Sequence, residues 1–185
     1  MNKENKKSGQ KYYIEFWTLV YIFFVCALAG WIWEEFYCLV KHGFWVERGF
    51  LFGPILPIYG LGGITVYWLK EKLTGRSPWL LLLANFGALG AVEYISSWRL
   101  ELIFNKRWWD YSHVPLNLGG RIHLAGILFF GIMGFASGQL VLPRIIYFIR
   151  SRKREGVILA AKIMLGIFAS DVAASLIYHL SHSSA

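Results

Sequence analysis

Glu34, Glu93 and Asp171 stand where the surrounding sequence is almost wholly apolar. If these stretches are membrane helices, each acid lies within one. An ionisable group at the bilayer centre costs roughly 2.5–3.5 kcal/mol on insertion scales. Such a carboxylate must face the bundle interior, pair, or stay protonated. Glu34 is followed by Glu35, late in its apolar run. Glu93 begins a series with Ser96, Ser97 and Glu101. At about 100° per residue these four occupy one sector of about 140°, a single polar stripe. Counted from Trp79 and Val157, Glu93 and Asp171 fall at similar depth. Arg48, Arg121, His123 and the Tyr59 hydroxyl are the available partners. The chemistry expected is a polar cavity walled by carboxylates. Arg48 and Arg121 would hold anionic groups, and Glu34, Glu93 and Glu101 cationic groups or protons.

A second concentration of polar and aromatic residues is the stretch WWDYSHVPLNLGGR, Trp108 to Arg121. It lies between two apolar runs. Trp108, Trp109 and Tyr111 suit a membrane interface, where an amphipathic ring is most at home. Pro115 and the glycine pair would shape the turn. Asp110, Asn117 and Arg121 would point inward. The expectation is the rim and lid of an outward-facing pocket, formed by this stretch with Arg48.

The elements that must position these groups follow from composition. The chain of 185 residues has a mean hydropathy of +0.46 and only 16% charged residues, against about 25% in soluble domains. Five apolar runs are each near the 20 residues or so that cross a bilayer. They are Tyr13 to Val40, Phe50 to Leu69, Pro78 to Phe104, Ile122 to Leu142 and Val157 to Leu180. Backbone groups in lipid must satisfy one another, so the runs are expected as helices. The expected fold is all-α, a polytopic membrane bundle of about five transmembrane helices. Residues 1–12 form a basic tail, residues 13–180 one transmembrane domain, and residues 181–185 a short second tail. Pro54 and Pro57, with Gly53 and Gly60, predict a broken or kinked start to the second run. Pro143–Glu155 could form an amphipathic surface helix.

Basic residues are distributed unequally. Lys3, Lys6, Lys7, Lys11, Lys70, Lys72, Arg76, Arg144, Arg150, Arg152, Lys153 and Arg154 would share one side. Lys41, Arg48, Lys106, Arg107 and Arg121 would share the other. The excess predicts a cytoplasmic N-terminus and an extracytoplasmic C-terminus. The net charge of +8 is then topological, with some affinity for anionic lipid, and needs no nucleic-acid partner. The first run is too long for a cleavable signal and should act as an anchor. Cys26 and Cys38 would lie about 18 Å apart on one helix, too far for a bridge.

A faint repeat relates Gly30-x-x-x-Glu34, Trp45 and Gly49 to Gly90-x-x-Glu93, Trp109 and Gly120. It predicts two parallel-related hairpins, runs one and two and runs three and four, followed by a fifth helix. Gly134 and Gly138 form a small-xxx-small pattern for close packing or a dimer face. No zinc-protease, nucleophile-elbow, phosphate-loop or dinucleotide motif is present. No cofactor and no metal are expected.

The segments GWIWE (30–34), ERGFLFGPILPIYGLGG (47–63) and WWDYSHVPLNLGGRIHL (108–124) resemble the CmpB-type ABC-transporter permease family. These are bacterial multi-pass membrane proteins with vertebrate transmembrane relatives. The resemblance covers about Trp17 to Ser175. The family patterns RGFL-x-GP-x-x-PIYG and WDYS-x-x-P-x-N-x-x-G fall on Arg48, Gly49, Pro54, Pro57, Tyr59 and Gly60. They fall also on Trp109, Asp110, Tyr111, Ser112, Pro115, Asn117 and Gly120. Glu34 and Glu93 match the family's membrane acids. Relatives often carry Asn where Glu47 stands and Cys where His123 stands. The resemblance implies a permease in the bacterial inner membrane, acting as a homo-oligomer with a cytoplasmic ATPase or another membrane subunit. Two further classes remain open. One is an intramembrane enzyme on a lipid-linked substrate at the outer leaflet, with Glu93 or Asp110 as acid/base and Tyr111 and Asn117 orienting the substrate. The other is a non-catalytic accessory subunit whose loops dock a partner.

Overall fold

The computed structural model describes residues 3–44 and 49–182, with backbone alone for residues 3–14, 42 and 182. Arg48, Trp45 and Glu47 lie outside the described residues. The chain forms five helices: α1 (Lys3–His42), α2 (Pro57–Lys72), α3 (Pro78–Phe104), α4 (Leu124–Ser151) and α5 (Arg154–His182). Two short strands, β1 (Asn117–Leu118) and β2 (Ile122–His123), pair antiparallel between α3 and α4. Four helices hold segments long and apolar enough to cross a membrane: Glu15–Lys41, Pro78–Phe104, Leu124–Ser151 and Arg154–Ser181. Large apolar side chains such as Phe36, Leu83, Leu102 and Ile167 face outward from them. The chain is a multi-pass membrane protein built as an all-helical bundle.

Three expected boundaries shift. α1 starts at Lys3, so the basic tail continues the first helix. The second run becomes helical only at Pro57. Pro57 takes a first-turn position, where its missing N–H costs nothing. Its 16 residues rise about 24 Å, short of a full crossing. Residues 49–56 precede it as irregular backbone, consistent with the Gly-Pro-rich sequence. The Pro143–Glu155 segment is not a separate surface helix. α4 runs through Pro143 to Ser151 and α5 starts at Arg154.

Helices α1 and α2, and helices α3 and α4, run antiparallel and meet through glycines. Cβ atoms at Gly30 and Gly63 would fall 2.1 Å from the Tyr59 ring and 2.5 Å from Cys26 Sγ. In the second hairpin Gly90 faces Ile127, and Gly131 faces Phe86. This reciprocity is compatible with a duplicated hairpin. Gly134 and Gly138 are spent inside the bundle, where Val66 of α2 packs against both. The main apolar core joins Ile22, Val66, Leu142, Ile145, Ile149 and Val157. It lies toward the end that carries Lys70, Lys72, Arg144 and Arg150, hereafter the basic end. The 105–123 connector marks the opposite, loop end.

Candidate functional site

The loop end is built first by the connector. α3 stops at Asn105, which adopts a left-handed conformation (φ 51°) and donates its N–H to Glu101 O at 2.8 Å, a helix-ending αL cap. The chain then folds on itself. Gly119 and Gly120 take φ of 61° and 68° in the three-residue loop between β1 and β2, a left-handed backbone that glycine adopts without steric cost. A Cβ at Gly120 would also stand 2.4 Å from Ser112 Oγ and 2.5 Å from Asp110 Oδ1. Asp110 Oδ1 accepts from Ser112 N at 2.9 Å and Ser112 Oγ at 2.5 Å. Asn117 Nδ2 donates to Val114 O at 2.8 Å, and its Oδ1 accepts from Gly120 N at 2.9 Å. Both residues therefore pin the connector's own backbone. The Ser112 hydroxyl, then the Ser112 N–H, and beyond them Arg107 and His113, hold the Asp110 carboxyl below its ordinary pKa.

The connector is clamped to the bundle by charge. Arg121 lies 2.5 Å from Glu101 and 3.4 Å from Ser97 Oγ, with Tyr94 beneath its guanidinium at 5.9 Å. Arg107 Nε contacts both Glu101 oxygens at 3.1 Å, and its Nη1 donates to Gly119 O at 3.3 Å. Its pairing with Glu101, and secondarily with Asp110, raises its pKa further. Glu101 is thus occupied by two guanidiniums. The sequence alone presents Arg107 only as a topological charge. Its position just past the α3 cap, within reach of Glu101, was the available signal. Trp109 Nε1 donates to Arg121 O at 3.0 Å, and Trp108 Nε1 to Gly49 O at 3.1 Å. Trp108 therefore ties the two connectors of the loop end together. His123 caps α4, its Nδ1 accepting from Gly126 N at 3.3 Å, and its ring meets Tyr111 edge-on at 4.6 Å.

Beneath this cover lie the two membrane acids of the separate hairpins. Tyr59 Oη donates to Glu34 Oε1 at 2.7 Å. Gly30, one turn before Glu34, leaves the space that the Tyr59 ring fills. Glu93 is 7% exposed and hydrogen-bonds with the Tyr111 side chain. Glu34 lies within electrostatic reach of Glu93, and Tyr59 within reach of both Glu93 and Tyr111. Two carboxylates and two phenols, from α1, α2, α3 and the connector, therefore form one cluster. Glu35 is also buried.

Asp171 has a different set of partners. Its Oδ1 accepts from Phe52 N at 3.1 Å, and its Oδ2 from Gly53 N at 3.0 Å. Ser175 Oγ donates to Oδ1 at 3.3 Å and accepts from Phe52 N at 3.2 Å. A Cβ at Gly53 would fall 2.7 Å from Oδ2. Asp171 thus secures the irregular backbone before α2. His179 Nε2 meets Phe50 O at 3.0 Å nearby, in a ring cluster with Phe104 and Trp108. That cluster was not foreseen, because its members are far apart in sequence and none is unusual alone.

No curated protein and no solved structure matches the chain. A family profile does match, over residues 21–176, and its description reads "Putative ABC-transporter type IV". Residues 21–176 are most of the 185-residue chain, so the chain belongs to this family, ABC_trans_CmpB.

Proposed function

We propose that the chain is the membrane-embedded, permease-type subunit of a transporter. Its site would lie at the loop end and take a small solute or a lipid headgroup. One observation carries this reading. Glu34 and Glu93, from different hairpins, lie within electrostatic reach of each other, Glu34 bonded to Tyr59 and Glu93 to Tyr111, beneath a connector held by hydrogen bonds and ion pairs. Two carboxylates in a membrane bundle are costly. A bundle serving only as a scaffold would gain more from apolar packing at these positions.

In this reading Glu34 and Glu93 receive a cationic group. Tyr111 leaves Glu93 when the connector lifts. Arg121 and Arg107 release Glu101 in the same movement and present guanidiniums to anionic groups. Asp110, Asn117 and Trp109 keep the connector folded as it moves. The Lys and Arg asymmetry supports an extracytoplasmic loop end and a cytoplasmic N-terminus. Family membership supports a partner ATPase or a second membrane subunit, with the basic end as its docking side, and assembly with further copies of the chain.

The test is native mass spectrometry of the gently extracted protein beside Glu93→Gln and Tyr111→Phe. A small molecule or single lipid class should stay on the wild type and be lost from both variants. Identical bulk lipid on all three would overturn the reading.

A further inference from the structure

The basic end carries a feature that the loop-end site does not use. A cleft of about 350 Å³ opens between α2 and α4, lined by Tyr67, Lys70, Glu71, Pro143, Ile146 and Arg150 among others. That volume is at the low end of the roughly 300–1,000 Å³ range of small-molecule sites. The short α2 ends here at Lys72 while α4 continues to Ser151, so α4 offers an uncovered wall. Pro143 and Ile146 give that wall an apolar surface. The rim is charged with both signs.

Lys70 reaches across to α4. Its Nζ donates to Gly138 O at 2.5 Å and lies 3.5 Å from Gln139 Oε1. An ammonium has three donors, so one remains for a ligand. Arg150 and Glu71 are both exposed. The Tyr67 hydroxyl lies within electrostatic reach of Glu71, of Glu15 from α1 and of Arg150. Two cations and one carboxylate therefore line one cleft. An anionic headgroup would meet Lys70 and Arg150 but would be opposed by Glu71. A zwitterion with a phosphate and a primary amine meets both signs.

We propose that this cleft binds a membrane aminophospholipid, phosphatidylethanolamine in chemical class. Its phosphate sits at Arg150 and Lys70, its ammonium at Glu71, and its acyl chains lie along Pro143 and Ile146. The site is independent of the loop-end reading. Basic pockets between membrane helices hold lipid phosphates in the same manner; the added Glu71 carboxylate selects the amine.

The experiment reconstitutes the full chain in bilayers of equal phosphatidylethanolamine, phosphatidylglycerol and phosphatidylcholine, then counts retained lipids by native mass spectrometry. Glu71→Gln and Arg150→Gln are exposed changes and leave the fold intact. Wild type should retain phosphatidylethanolamine about threefold to fivefold over the other two, the size an exposed ion pair gives. Glu71→Gln should bring it down to the phosphatidylcholine level, because a trimethylated amine donates no hydrogen bond. Arg150→Gln should lower all three. Equal retention of phosphatidylglycerol by wild type, or an unchanged preference in Glu71→Gln, overturns the proposal. Soluble phosphoethanolamine binding with the same Glu71 dependence, in the absence of any lipid preference, overturns the lipid as its source.

Discussion

Asp171 and Glu93 fall at similar depth along α5 and α3, yet the bundle satisfies them by different means. Asp171 accepts two backbone N–H groups and a serine hydroxyl, all from residues that have no other role in sight. Irregular backbone at membrane depth must find partners inside the protein, and Asp171 supplies them to Phe52 and Gly53. Glu93 instead meets a phenol from a connector, with Glu34 close by. The first arrangement fixes a broken helix in place. The second pairs the acid with a side chain from the connector. An acid that replaces a backbone partner is structural; the proposed function assigns the ligand to the acid that lies near a second acid under the connector.

That contrast sets the order of expected effects. Asp171→Ala strands the Gly53 N–H and leaves the Phe52 N–H with Ser175 Oγ as its remaining partner. It should destabilise the bundle by about 3 kcal/mol, since each buried group left unpaired costs about 1–3 kcal/mol. Thermal unfolding in detergent reads this. Gly53→Ala should follow closely, because its Cβ would press on Asp171 Oδ2.

Tyr111→Phe removes one hydrogen bond to the carboxylate and should cost about 1.5–3 kcal/mol. The loss should appear as faster proteolysis of the 105–123 connector. Glu93→Gln keeps a partner for Tyr111 and should cost less than about 1 kcal/mol, while abolishing ligand retention. If Glu93→Gln destabilises as much as Asp171→Ala, the two acids have the same role and the contrast fails.

The smallest effect is acid loosening of the connector. The Asp110 pKa is lowered in the folded protein. Its contribution is therefore complete above the ordinary Asp value near about 4 and is lost as the pH falls through the lower folded value. Connector proteolysis should rise only in that acid range, and Asp110→Asn should remove the dependence.

Much of this was legible beforehand, for physical reasons. Apolar runs announce α1, α3, α4 and α5 because lipid demands continuous hydrophobic length. Pro54 and Pro57 announce the break before α2, though the run's length concealed how late the helix starts. Glu34, Tyr59, Glu93 and Tyr111 stood out as polar groups in costly places. Their pairing did not, because it depends on how two hairpins pack. Asp110 and Asn117 looked like ligands for a solute. The turn at Gly119 and Gly120 consumes them instead, since a tight connector needs side chains to satisfy its own backbone. Glu101 was read as open; the cap at Asn105 turns Arg107 back onto it.

Hydrogen–deuterium exchange in lipid nanodiscs, wild type against Tyr111→Phe, tests the separation of the two regions most directly. The account predicts faster exchange across residues 109–121 and unchanged exchange across residues 49–56. Equal change in both segments, or none in either, would contradict it.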